Sequence, residues 1–230
     1  MTAGSEVVAI DGPSGAGKGT VARAVAATLG WRHVDTGAMY RAVAWSAAQQ
    51  GFTLGNDDEV NVARVAARST FVIDSHRILI DQHDVTSLIR TPEMDKAATG
   101  VARMPRVRAV LVARQREYAA AGPVVMEGRD IGTVVFPDAR VKVYLDATPE
   151  ERARRRAGDG SHGSSKMGGI GVVADAMATR DRLDRTRVTS PLARARDAVF
   201  VDTTGVPIDA VVHRVLKLVR DRLQSTPKTV

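Results

Sequence analysis

The clearest candidate for chemistry is a glycine-rich segment that contains a single lysine. It follows an apolar run, 7–10, and precedes a stretch with helical periodicity, 21–29. A strand, a glycine-rich loop and a helix in this order are the setting that a phosphate-binding loop needs. Glycines let backbone N–H groups point at one anion, and the helix N-terminus adds partial positive charge. The segment therefore predicts a nucleoside triphosphate site made by Gly12, Pro13, Ser14, Gly15, Ala16, Gly17, Lys18, Gly19 and Thr20.

The position after the lysine departs from the usual loop motif. Gly19 stands where a serine or threonine would ligate Mg²⁺, and Thr20 comes next. Two arrangements are consistent with this: Thr20 takes the metal-side role, or phosphates and water hold most of the ion. Mg²⁺ tolerates the second arrangement because it sheds water reluctantly. We expect Mg²⁺ as a cofactor, with Thr20 as its candidate protein ligand.

Composition narrows the class of protein. A chain of 230 residues fits one domain with small insertions, and 44% hydrophobic residues can build a substantial core. The apolar runs are too short for a membrane span, and nothing resembles a signal peptide. The chain has no cysteine, which excludes disulfides and thiolate chemistry and favours the cytoplasm.

The charge balance indicates an anionic ligand. The net charge is +7, and arginines outnumber lysines by 27 to 6. Arginine grips phosphate with a planar fork, whereas aromatic residues, the stacking platforms for single-stranded nucleic acid, make up only 4% of the chain. Small phosphorylated ligands are therefore favoured over nucleic acid, although some of these arginines would simply solvate helix faces.

Strand and helix patterns alternate along much of the chain. A short strand at 31–34 precedes a helix that begins at Asp35 or Thr36 and runs to about Gln50. Apolar strands are predicted at 124–126, 141–145 and 199–201, each followed by a helix-like segment. This repeat predicts an α/β fold with a parallel sheet flanked by helices.

Two segments interrupt that repeat. Residues 71–74 and 78–81 predict a β-hairpin, and with the helical stretch 57–69 they form an expected insertion at 53–92, which leaves 1–52 and 93–230 as the core. The Gly- and Ser-rich tract 158–171 is flanked by arginines, so we expect a short lid at about 157–172 that closes over phosphates. A plain linker is the alternative for this tract.

Further polar groups follow predicted strands, where ligands bind in open α/β sheets. The first is Asp35-Thr-Gly-Ala-Met-Tyr-Arg41, and the second is Glu127-Gly-Arg-Asp-Ile-Gly132. Farther on, Arg180, Asp184 and Arg187 have the spacing of one helical face. An ordinary ladder of ion pairs would also explain that spacing. Three arginine-bearing segments beside one phosphate loop favour two phosphate sites that face each other.

These motifs together resemble the bacterial cytidylate kinases, within the nucleoside monophosphate kinase family of P-loop proteins. The resemblance extends from residue 7 to about 203, and its most specific segment is GRDIGTVVFPDA at 128–139. The hairpin insertion is similar to the enlarged CMP-binding region of the bacterial enzymes. The other matching segments are DGPSGAGKGT at 11–20, DTGAMYR at 35–41, PRVR at 105–108 and RDRLDRTR at 180–187.

The resemblance implies transfer of the ATP γ-phosphoryl group to CMP or dCMP, with Mg²⁺. It implies that Arg41 and Arg129 clamp the CMP phosphate, that Asp130 accepts from the cytosine amino group, and that Asp184 holds the sugar hydroxyls. Lys18, Arg41, Arg129 and Arg187 are the expected catalytic residues, and Arg152 and Arg156 are added to the ATP side. The expected CMP site consists of Asp35, Thr36, Tyr40, Arg41, Thr99, Arg108, Arg129, Asp130, Arg180, Asp184 and Arg187.

Other functions compete with this interpretation. A kinase of the same fold for UMP or another small acceptor is the nearest. A GTPase-like switch is disfavoured because the chain lacks the Asn-Lys-x-Asp motif for guanine. A nucleic-acid-stimulated ATPase is suggested by basicity alone. We expect ATP, CMP and dCMP as the partners, with no nucleic acid and no membrane, and a monomer.

Overall fold

The computed structural model describes residues 6–74, 76–160 and 169–224. Its centre is a five-stranded, wholly parallel sheet in the order β2-β6-β1-β7-β8, which confirms the predicted class. Its strands are β1 (Val7–Asp11), β2 (Arg32–Asp35), β6 (Val124–Gly128), β7 (Val141–Asp146) and β8 (Val199–Asp202). A separate antiparallel sheet contains β3 (Phe71–Ile73), β4 (Ile78–Ile80) and β5 (His83–Asp84).

Helices cover both faces of the parallel sheet. Side chains alternate across the fully buried β1, so Val7 and Ala9 pack on one face while Val8 and Ile10 pack on the other. The first face carries α2, α3, α4 and α5, and the second carries α1 and α8. The helices are α1 (Lys18–Leu29), α2 (Thr36–Gln49), α3 (Glu59–Arg68), α4 (Pro92–Val101), α5 (Pro105–Ala120), α6 (Pro149–Ala157), α7 (Ile170–Arg185) and α8 (Ile208–Gln224).

The predicted hairpin is present in the three-stranded sheet. β3 and β4 pair antiparallel, from Phe71 opposite Ile80 to Ile73 opposite Ile78. Ile73, Ile78 and Ile80 are buried in the same apolar cluster as Val34 and Met39 of the core. The apolar side of the inserted sheet is therefore continuous with one layer of the main fold.

Two local predictions need correction. The segment after β6 is a single π-helical turn, Ile131–Val135, rather than a crossover helix. Its backbone N–H groups at Ile131 and Gly132 donate to the carboxylate of Asp11 at 2.8 and 2.7 Å, and this buried acceptor holds the turn against β1. The second correction is that α7 ends at Arg185, so Arg187 lies beyond the helix and does not share a helical face with Arg180. Of the predicted lid, 161–168 lies outside the described residues.

Candidate active site

The glycine-rich loop runs from the carboxyl end of β1 to the start of α1. Gly12 has φ +149°, and a Cβ there would lie 2.0 Å from the carbonyl oxygen of Leu145 in the neighbouring strand, so only glycine fits. Gly17 precedes α1 with φ +89° and provides no side-chain cap. The first N–H groups of α1 therefore have no capping side chain and are available to an anion.

The charge of Lys18 is suppressed by its surroundings. Its side chain is buried, and its Nζ donates to the carbonyl oxygen of Pro13 at 2.7 Å. Burial, and then the nearby positive charge of Arg129, lower the pKa of Lys18 to about 7. The surrounding protein groups therefore provide too little negative charge to stabilise the protonated form of Lys18.

Residues that are distant in sequence make hydrogen bonds to the carbonyl groups of the glycine-rich loop. The Arg152 guanidinium donates to the carbonyl oxygen of Ser14 at 3.0 Å and pairs with the buried carboxylate of Asp181. The Thr203 hydroxyl donates to the carbonyl oxygen of Ala16 at 3.2 Å. Arg152 was predicted on the ATP side, but its guanidinium is engaged with the protein and does not line the cleft in the described part of the chain.

An open cleft of about 800 Å³ lies above this loop, at the carboxyl ends of the parallel strands. Its lining includes Arg156 and every residue predicted for the CMP site. Residues 14–20 of the glycine-rich loop line the cleft, whereas Gly12 and Pro13 do not. The predicted lining residues are Ser14, Gly15, Ala16, Gly17, Lys18, Gly19, Thr20, Asp35, Thr36, Tyr40, Arg41, Thr99, Arg108, Arg129, Asp130, Arg156, Arg180, Asp184 and Arg187.

The start of α2 forms one wall of the cleft. Asp35 caps this helix by accepting from the N–H of Ala38 at 3.0 Å, and its other oxygen accepts from Arg41 at 2.9 Å. Burial raises the pKa of Asp35, but the positive charges of Arg41 and His33, together with the hydrogen bond from the Ala38 N–H, lower it to about 2. The Thr36 hydroxyl donates to the carbonyl oxygen of Glu127 at 2.7 Å and so joins this wall to β6.

Ion pairs position the cleft residues that come from α5, from the segment after β6 and from α7. Arg108 pairs with the buried carboxylate of Asp130, and its guanidinium lies 5.4 Å from the ring centroid of Tyr40. Arg129 Nε donates to Asp184 at 3.0 Å. Burial raises the pKa of Asp184, but the nearby arginines, with Arg129 first, bring it below its ordinary value. Both carboxylates are therefore paired with an arginine beside the cavity.

Several polar atoms on side chains that line the cleft have no hydrogen-bond partner among the described residues. These atoms are buried and belong to side chains that line the cavity. A buried donor without an acceptor costs about 1–3 kcal/mol, so a ligand rich in acceptor oxygens is expected here. The atoms are Tyr40 Oη, Arg41 Nε, Arg108 Nε, Arg180 Nε, Arg187 Nε and Arg187 Nη2.

Some cleft residues were not assigned a role from the sequence. Glu127 has its carboxylate 3.3 Å from the buried His33 ring and 3.1 Å from the place that a Cβ on Gly19 would take. Its position at the end of β6, directly before the Gly-Arg-Asp motif, was the available signal. Asp95 precedes Thr99 by one helical turn and was detectable as a neighbour on the same face. Arg155 and the loop 205–208 also line the cavity, without a motif that marks them.

The donor set suits Mg²⁺ only if the nucleotide supplies most of the ligands. Among the residues that the structure describes, no group of three His, Cys, Asp or Glu side chains could hold a metal ion. The exposed Thr20 hydroxyl and the Glu127 carboxylate offer hard oxygen atoms near the loop. In the same described residues, no helix is long and apolar enough to cross a bilayer.

Comparison with known proteins agrees with this geometry. The family model for cytidylate kinase matches residues 8–221. A cytidylate kinase of Solibacter usitatus is 46% identical over 218 residues, which cover 94% of this chain and 93% of the relative. A cytidylate kinase of Desulfitobacterium hafniense is 43% identical over 221 residues, with 95% and 94% covered. The chain belongs to the cytidylate kinase family.

Proposed function

We propose that this cleft transfers the γ-phosphoryl group of ATP to CMP or dCMP and releases ADP with CDP or dCDP. The observation that carries the proposal is the set of buried donors that lack a partner within residues 6–74, 76–160 and 169–224, on Tyr40, Arg41, Arg108, Arg180 and Arg187. Two phosphorylated ligands facing each other would supply acceptors to these atoms, and the family supports this assignment.

The glycine-rich loop is the proposed donor side. Its N–H groups and the start of α1 would hold the ATP phosphates, and Lys18 would regain its full charge between them. Val206, Pro207 and Ile208 line the cleft as apolar surface suited to the flat face of a base. Arg155 and Arg156, from α6, would add charge over the triphosphate.

The facing walls are the proposed acceptor side. Arg41 and Arg129 would grip the monophosphate, and Arg187 would complete the charge around it. Asp130, positioned by its ion pair with Arg108, would accept from the cytosine amino group, while Asp184 would accept from the sugar hydroxyls. Thr36, Tyr40 and Thr99 supply hydroxyl groups along the cleft, and insertion 53–92 is the proposed support of this side.

The reaction needs positioning and charge neutralisation more than proton transfer. Phosphoryl transfer proceeds through a loose transition state, with the attacking and leaving oxygens roughly in line. The attacking phosphate oxygen of CMP is already deprotonated near neutral pH, so no general base is required. Mg²⁺ when bound would neutralise charge on the transferring phosphates, with Thr20 and Glu127 as its candidate protein contacts. We keep the expectations of a monomer and of a cytoplasmic enzyme.

The adjacent residues Arg129 and Asp130 allow a test that separates phosphate holding from base recognition. Arg129→Ala is expected to lower kcat/KM for CMP and UMP alike, by about 10²-fold, because one phosphate contact is lost. Asp130→Asn is expected to lower the CMP/UMP ratio of kcat/KM by about 10-fold, because the uracil carbonyl would no longer face a carboxylate. Steady-state rates for both acceptors give the two ratios.

Each variant serves as the control for the other. The base assignment fails if the CMP/UMP ratio of Asp130→Asn equals that of the wild type. The phosphate assignment fails if Arg129→Ala keeps full kcat/KM for both acceptors. Thermal unfolding of each protein separates these outcomes from loss of the fold.

A further inference from the structure

The carboxylate of Asp95 lies among three arginines of the cleft. Asp95, on α4, pairs with Arg156 of α6, lies 3.2 Å from Arg180 Nη1 of α7, and lies 3.8 Å from Arg41 Nη1 of α2. Four helices therefore meet at one anion. The side chain of Asp95 is only 14% exposed, so these pairs are largely shielded from water.

The arginines of the cluster repel one another, and Asp159 as well as Asp95 offsets the charge of Arg156. Burial, together with the repulsion of Arg180 and Arg41, lowers the pKa of Arg156 even though Asp95 acts in the opposite direction. Asp35 also pairs with Arg41, but Asp95 contacts the guanidinium groups of all three arginines, so its loss would strengthen their mutual repulsion across a partly dehydrated space. Asp95 thus offsets a repulsion that would move the arginines apart.

The arginines keep donors that Asp95 does not use. Arg41 Nε and Arg180 Nε are buried and have no hydrogen-bond partner in the part of the chain that the structure describes. An arginine fork presents five N–H groups, so one edge can hold a carboxylate while another holds a phosphate. This geometry suits an anion site in which Asp95 holds one edge of each arginine and another edge remains for a phosphate.

We propose that Asp95 is a positioning residue that holds Arg41, Arg156 and Arg180 together for the phosphates of the two nucleotides. The proposal rests on the proposed function, in which these arginines contact phosphate. Asp95 binds no nucleotide atom itself; it acts through the arginines. It links the acceptor side, through Arg41, to the donor side, through Arg156.

The first test compares ligands with and without a phosphate. Asp95→Asn is expected to weaken CMP binding by about 10- to 100-fold in calorimetric titration, since misplaced arginines contact phosphate poorly, while cytidine binding stays unchanged. Asp95→Glu keeps the charge and is expected to recover part of the CMP affinity. Glu93→Gln is the matched control, because Glu93 is an exposed carboxylate on the same helix.

The outcomes separate this proposal from the proposed function. If the wild type binds cytidine as tightly as CMP, the arginines do not hold a phosphate and the proposed function fails. If the wild type prefers CMP and Asp95→Asn keeps that preference or binds CMP more tightly, only the role of Asp95 is overturned.

A double-mutant cycle tests the route of action. If Asp95 acts through Arg156, adding Asp95→Asn to Arg156→Gln lowers kcat/KM by less than it does in the wild type. A merely structural role would make the two losses multiply. Independent losses in the cycle would therefore contradict the proposal, even if Asp95→Asn alone slows the enzyme.

Discussion

At the scale of single residues, the cleft contains charged side chains that neighbouring protein groups only partly neutralise. Lys18 is the clearest case, because burial and the charge of Arg129 lower its pKa to about 7. The triphosphate of ATP would supply the missing negative charge. Binding should then restore the ordinary protonation of this amine.

We therefore predict that ATP binding takes up protons above neutral pH. Below about pH 7 Lys18 is already charged, so uptake is small, whereas at pH 8 it should approach one proton and ATP affinity should fall as pH rises further. Titration calorimetry at pH 8 in two buffers of different ionisation enthalpy measures the uptake. Lys18→Arg is the matched control, because arginine stays charged; equal buffer dependence in both proteins would contradict the account.

At the scale of elements, the phosphate loop depends on helices that are distant in sequence. Arg152 of α6 bonds the loop at Ser14 and pairs with Asp181 of α7, so three segments share one buried guanidinium. Its further contacts, to the carbonyl oxygen of Ala147 at 3.2 Å and the carboxylate of Asp146 at 3.6 Å, extend the support to the end of β7. This arrangement makes α6 a support of the loop as well as a wall of the cleft.

Arg152→Ala is accordingly expected to lower the free energy of unfolding by about 3–5 kcal/mol, because it leaves the carboxylate of Asp181 buried without its partner. Arg154→Ala, on the exposed side of the same helix, is the matched control and should change stability little. Urea unfolding followed by circular dichroism measures both. Equal stability of Arg152→Ala and the wild type, with a raised KM for ATP, would instead indicate a direct ligand contact.

Sequence patterns predicted some of the helices and strands correctly and others not. The alternation of strands and helices predicted the parallel sheet, and the hairpin at 71–81 was visible from its apolar runs. The π-helical turn after β6 was missed, because the acceptor that shapes it is Asp11, about 120 residues earlier in the chain. Arg187 was placed on a helical face by its spacing, yet α7 ends two residues before it.

At the scale of the whole molecule, motif residues could be predicted, whereas their partners could not. The Gly-Arg-Asp motif and the RDRLDRTR segment indicated Arg129 and Asp184, but their ion pair joins residues 55 positions apart. The cluster around Asp95 joins four helices and has no local periodicity. Such contacts depend on how the helices pack over the sheet, and local sequence patterns do not indicate that packing.

The central claim is that this cleft selects cytosine nucleotides as phosphoryl acceptors. Its most direct test is a coupled assay of the wild-type enzyme with ATP and, in turn, CMP, dCMP, UMP and AMP. We predict kcat/KM for CMP or dCMP at least about 10²-fold above the value for UMP, because uracil has a carbonyl where a site built for cytosine pairs with the amino group. We predict a similar preference over AMP, because its purine is larger than a pyrimidine ring. Equal or better use of UMP or AMP would contradict it.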